Sequence, residues 1–141
     1  MKDCKQKWWK DAALGMFVHW GLYSMLGGVW NGRRTDNVSE WIMRHLEIPV
    51  ESYRALAASF CPENFNARQW VQLAADSGMK YLVYTAKHHD GFAMYRSACS
   101  RYNIVDATPF GRDPLLELAE ACAMAGIKLG VYYSQAQDWD E

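Results

Sequence analysis

Two segments, Tyr81-Leu82-Val83-Tyr84-Thr85-Ala86 and Lys128-Leu129-Gly130-Val131-Tyr132-Tyr133, are short unbroken apolar runs, and they restrict the fold more than anything else in the 141 residues. A run of this length without polar alternation predicts a strand covered on both faces, as in a parallel sheet. Met16-Phe17-Val18, running into His19-Trp20, predicts a third such strand. Between these runs the apolar period becomes helical. Ala67, Trp70, Val71 and Ala74 share one face, with Asn66 as N-cap and Gly78 as stop. Leu115, Leu118, Ala119 and Cys122 make a second stripe, opened by Asp113-Pro114 and closed by Gly126. A further helix is predicted after Pro49, with Tyr53, Leu56, Ala57 and Phe60 aligned, and a shorter one over Ser39 to Leu46. Strand, helix and strand in alternation define an α/β chain with right-handed crossovers.

The loops carry the functional signal. Those following strands (20 to about 48, and 86 to 112) are long, whereas the helix-to-strand links, such as Ser77-Gly78-Met79, are very short. Function in β/α folds gathers at the carboxyl ends of the strands. Here those ends carry His19-Trp20, Lys87-His88-His89-Asp90 and Tyr133-Ser134. With a net charge of −1, the chain lacks the basic excess of an electrostatic nucleic-acid binder. Half its residues are hydrophobic and 22% charged, which excludes a disordered chain. Its length suits one domain and no complete second one. No apolar run reaches the ~20 residues of a membrane span, and Met1 to Lys10 is too polar for a secretory leader, so the default compartment is cytoplasmic. The four cysteines are far apart and form no C-x-x-C pair.

Lys87-His88-His89-Asp90-Gly91-Phe92 is the densest cluster of reactive groups. It admits three readings: a metal site, a hydrogen-bonding clamp for a polyhydroxylated ligand, or structural histidines in a loop. Neighbours leaving a strand point to opposite sides, which disfavours joint chelation by His88 and His89, and no H-x-x-x-H or H-E-x-x-H spacing exists; no metal or cofactor is expected. His19 ends a strand and admits a structural as well as a functional reading, and Glu40-Trp41 either pairs an acceptor with a flat ring of the kind that stacks on sugar C–H faces or lies on a helix whose Trp packs inward. Several of the seven tryptophans fall in Gly- and Asn-containing loops, where core packing explains them poorly. Asp106, Asp138 and Asp140 are expected to be solvated, and Arg112 to brace the Asp113 cap.

Five separated motifs together carry a resemblance. Gly15-Met16-Phe17-Val18-His19-Trp20-Gly21-Leu22-Tyr23-Ser24, Glu40-Trp41, Lys80 through Phe92, Arg112-Asp113, and Gly130-Val131-Tyr132-Tyr133-Ser134 with Asp138-Trp139 resemble the α-L-fucosidases of glycoside hydrolase family 29, in order and over nearly the whole chain. Cys61 stands where that family often has Asn. The resemblance implies a (β/α)8 TIM-like barrel, of which residues 1–141 would be the N-terminal portion, about three β/α units. It implies retaining hydrolysis of α-L-fucosyl linkages in fucosylated glycans, with no nucleic-acid or membrane partner. It names His19, Glu40, Trp41, His88, His89 and Tyr133 as the fucose-binding set, with Tyr132, on the other side of the strand, as the alternative to Tyr133. A retaining enzyme needs two carboxyl groups about 5–5.5 Å apart; the family's nucleophile Asp and acid/base carboxylate are expected beyond Glu141, so no catalytic residue is assigned within the chain. The 141 residues alone are therefore expected to be inactive, marginally stable, and able to self-associate through unpaired sheet edges. A non-catalytic sugar-binding module and a metal-dependent barrel hydrolase are the alternatives.

Overall fold

The computed structural model describes residues 4–140. Three strands, β1 (Gly15–Val18), β4 (Tyr81–Lys87) and β5 (Lys128–Tyr133), form a parallel sheet in the order β1-β4-β5. All three lie where the apolar runs place them. Phe17 pairs with Val83 and Val83 with Gly130, while Leu82 sits between Met16 and Leu129. Crossover helices α5 (Ala67–Asp76) and α6 (Pro114–Ala125) pack on each other and on β4. They cover the face bearing Leu82 and Tyr84, both fully buried. The opposite face is open: Phe17 is 53% exposed. The expectation of strands covered on both faces is thus corrected to one covered face. At the end of β4, Thr85 and Ala86 are both buried, and the segment around Ala93 and Met94 bonds along the strand there.

The helix ends follow their local chemistry. The Asn66 side chain accepts from the Gln69 amide at 3.1 Å. Asp113 accepts from the amides of Leu115 and Leu116, and also from that of Arg96, which ties the preceding loop to the helix start. Gly126 closes α6. On α6 the inward residues are Pro114, Leu118, Ala121 and Cys122, so Ala121 takes the place expected of Ala119. Replacing Asp113 with alanine removes a cap and a loop anchor together; a loss of about 1–2 kcal/mol is expected in urea unfolding, with the m-value unchanged.

Between β1 and β4 the chain adds a short helix, α2 (Tyr23–Leu26), a hairpin of β2 (Val29–Trp30) and β3 (Arg33–Arg34), a 3-10 turn at Ser39–Trp41, and helices α3 (Ile42–His45) and α4 (Val50–Arg54), the last followed by a 3-10 segment to Ser59. The hairpin and the N-terminal helix α1 (Cys4–Ala12) were not legible from periodicity. Trp20 stacks on Phe65 at 5.1 Å and meets Trp70 at 5.3 Å and Phe60 at 5.8 Å, joining the end of β1 to the helical layer. Among the described residues, no helix is long and apolar enough to cross a membrane.

Candidate functional site

The carboxyl ends of the three strands converge. Thr85 fastens the first two by donating to the Val18 carbonyl at 2.7 Å and accepting from the Trp20 amide at 3.0 Å. This bridge continues the β1–β4 ladder past its last backbone pair and fixes where His19 leaves the sheet. The His19 ring lies 5.6 Å from that of His88 and 6.1 Å from that of Tyr132.

His88 and His89 do not diverge. β4 ends at Lys87, the chain turns through residues 88–91, and the two imidazoles come together with centroids 4.3 Å apart. Strand alternation therefore misjudged this pair, because alternation ends with the strand. Gly91 makes the turn possible at φ +76°, and it lets the segment 138–140 lie against the chain. Asp90, 1% exposed, holds the turn from beneath, accepting from the Tyr53 hydroxyl at 2.8 Å and the Phe92 amide at 3.3 Å.

The site is flanked by indoles. Trp41 lies 5.2 Å from His89 and 5.3 Å from Trp139, and Trp139 lies 5.3 Å from His89. Trp139 is held there by its amide, which donates to the His89 carbonyl at 2.7 Å. Glu40 precedes Trp41 on the same 3-10 turn and is half-buried. Its carboxylate makes no hydrogen bond among the described residues and is close enough, together with Asp90, to add to the burial that raises the Tyr23 phenol.

Of the expected set, then, His19, His88, His89 and Trp41 are brought together, and Glu40 stands at their edge. Tyr133 is not. Its ring faces the Lys87 ammonium, 5.0 Å away, and is 48% exposed. The neighbouring Tyr132, paired with Thr85 across the sheet, stacks on His88 at 5.5 Å. Trp139 and Tyr23, whose ring lies 5.7 Å from His88, also belong to the cluster. Both stand in the motifs that resemble the fucosidases, and nothing local marks either as a site residue.

Two other expectations are corrected. Asp138 and Asp140 are not simply solvated: Asp138 pairs with Lys87 in a largely buried contact, and Asp140 with Arg54 at 2.5 Å. Opposite charges placed 51 and 86 residues away in the chain account for this. Arg112 does not brace Asp113 but binds both oxygens of Glu117, at 2.9 and 2.5 Å, and lies 4.8 Å over the Phe110 ring.

Electrostatics favour neutral imidazoles. Burial, then the charges of His89 and His19, lowers His88 to about 4, and burial lowers His89 as well. A neutral imidazole offers one donor and one acceptor, as a hydroxylated ligand requires. His88 is 5% exposed, and its Nδ1 is buried without a hydrogen-bond partner among the described residues. Among the described residues, no group of three or more His, Cys, Asp or Glu side chains is arranged to hold a metal ion. The carboxylates nearest the histidines are mostly engaged: Asp90 by hydrogen bonds, Asp138 and Asp140 by cations. Glu40 remains, and one carboxylate cannot perform double displacement.

A parallel β/α unit with imidazoles and indoles gathered at its strand ends is the frame of a ligand-binding or enzymatic domain of the β/α class. The chain belongs to the alpha-L-fucosidase family, whose sequence pattern it matches over residues 2–141. It is 35% identical over 137 residues to a putative alpha-L-fucosidase of Caenorhabditis elegans, covering 91% of this chain and 28% of that protein. With the plasma alpha-L-fucosidase of Rattus norvegicus the identity is 36%, covering 90% and 29%. The structure of alpha-L-fucosidase AlfC from Lactobacillus casei, in complex with alpha-L-fucose product, superposes with a TM-score of 0.94 at 52% identity, over 96% of this chain and 42% of that one. The alpha-L-fucosidase of Vibrio sp. strain EJY3 gives a TM-score of 0.95 at 44% identity, covering 99% and 24%. The chain thus spans less than a third of the length of these curated relatives.

Proposed function

We propose that these residues form the sugar-recognition part of a retaining α-L-fucosidase, with His19, His88, His89, Glu40, Trp41 and Tyr132 facing the fucosyl ring. The observation that carries this reading is the gathering of three imidazoles at 4.3 and 5.6 Å with the Trp41 indole at the carboxyl ends of parallel strands. The imidazoles and Glu40 bind hydroxyls, and the indoles lie against the C–H and methyl surface of the sugar. Tyr132 replaces Tyr133 in this assignment.

The sequential strand order, with both crossover helices on one face, supports a singly wound sheet that curls into a (β/α)8 barrel, of which residues 1–141 form the N-terminal portion. The open face carrying Phe17 is then the barrel interior, and the catalytic carboxylate pair comes from later strands. A fucosylated glycan is the substrate. Because one AlfC structure contains Fuca(1,6)GlcNAc, that disaccharide is the first natural linkage to test.

Release of fucose by the protein is expected to fall about 10- to 100-fold on His88→Ala, since a buried hydrogen-bonding group is lost from the bound sugar. The 141-residue chain alone is expected to show no turnover. Turnover by that chain, abolished by His88→Ala, would overturn the assignment of the carboxylates; undiminished turnover by His88→Ala in the protein would overturn the site.

A further inference from the structure

We infer that Ser134 is a positioning residue that locks His89 in the tautomer protonated at Nδ1, so that Nε2 meets the ligand only as a hydrogen-bond acceptor. The Ser134 hydroxyl, in a residue 4% exposed, lies 2.6 Å from the Gln137 carbonyl oxygen and 2.6 Å from His89 Nδ1. A carbonyl can only accept, and a serine hydroxyl has one proton. Both contacts are satisfied only when that proton goes to Gln137 and His89 Nδ1–H donates to the serine oxygen. Burial lowers His89 from the ordinary histidine value, which favours the neutral ring, whose Nε2 carries a lone pair.

The backbone makes this arrangement rigid. The Ser134 amide donates to the Lys87 carbonyl at 2.9 Å, and the Trp139 amide donates to the His89 carbonyl at 2.7 Å. Both residues of the pair are thereby tied to the same crossing of β4 and the segment after β5. His89 Nε2 makes no hydrogen bond among the described residues, and the ring carrying it stands beside Trp41 and Trp139.

The consequence is a specificity rule: the ligand atom at Nε2 must be a donor. A sugar hydroxyl satisfies this, whereas a fluorine or methoxy group in its place does not. This deepens the fucoside reading and rests on it for the identity of the ligand, but the tautomer itself does not depend on that reading.

The test is long-range 1H–15N NMR of the protein with 15N-labelled histidine, without sugar, at neutral pH. His89 is assigned by the signal that disappears in His89→Gln. The expected result is His89 with Nδ1 protonated and Nε2 bare, a pattern lost in Ser134→Ala and restored in Ser134→Thr. Affinity for α-L-fucose is expected to fall about 3- to 10-fold in Ser134→Ala, as one oriented hydrogen bond is lost. A wild-type His89 protonated at Nε2 overturns the inference, and so does an unchanged tautomer in Ser134→Ala. Should Ser134→Ala fail to fold, the wild-type spectrum decides alone. A protein with the expected tautomer that binds no fucose supports the positioning role and removes the fucoside reading.

Discussion

Replacing Gly91 with alanine is expected to destabilise the protein by about 3 kcal/mol, at the upper end of single-residue effects, read as a lower urea midpoint with an unchanged m-value. Two costs add. At φ +76° any residue with a Cβ is strained, by about 1–2 kcal/mol. The new methyl would also sit 2.5 Å from Asp138 Oδ1 and 2.5 Å from Asp140 Cβ. Neither neighbour can withdraw freely, since Asp138 is held by Lys87 and Asp140 by Arg54, whose guanidinium also lies 4.3 Å over the Tyr102 ring. Relief of the clash therefore loosens an ion pair, shifts the segment carrying Trp139, or opens the His88-His89 turn.

Gly27 supplies the control. It has φ +53°, and a methyl added there would meet nothing within 4 Å, so Gly27→Ala carries the backbone cost alone, about 1 kcal/mol. Equal losses at the two positions would show that the 138–140 segment does not press on Gly91. The same comparison bears on the site, because only the Gly91 substitution is expected to weaken sugar binding.

What the sequence showed and what it hid divide by the range of the interaction. The ends of α6 were legible because Asp113, Pro114 and Gly126 act within a turn of themselves, and the strand runs because their composition is local. Which tyrosine of the 132–133 pair joins the histidines was not. Alternation offers one on each face, and the choice is made by the pairing of Tyr132 with Thr85, together with the register shift between Thr85 and Lys87. Likewise, the alternation rule separated His88 from His89, and only the strand's end at Lys87 reunites them. Asp138 and Asp140 were hidden for a third reason: their partners, Lys87 and Arg54, are brought to them by the fold. The family motifs contained nearly all the cluster, Trp139 and Tyr132 included, but a motif does not say which of its side chains face inward.

Between about pH 4 and pH 7, Asp90 is expected to make the protein lose stability as pH rises. Burial is the leading cause, pushing its carboxyl up to about 7. The hydrogen bonds from Tyr53 and the Phe92 amide work against that shift, and the charge of Asp138 reinforces it. In the unfolded chain an aspartate titrates near its ordinary value of about 4. Through the interval between these values the folded state holds a proton that the unfolded state has released, so the slope of stability against pH is negative. The contribution is complete below about pH 4 and lost once pH passes about 7, and three pH units correspond to about 4 kcal/mol. Asp90→Asn tests the sign, since an amide keeps an acceptor oxygen under the turn and cannot ionise. Thermal unfolding of both proteins across about pH 4–8 is expected to show the wild type falling relative to Asp90→Asn as pH rises, with the gap closing toward low pH. Parallel curves would mean that Asp90 titrates in the folded protein as it does in the unfolded chain, so that burial does not hold its proton.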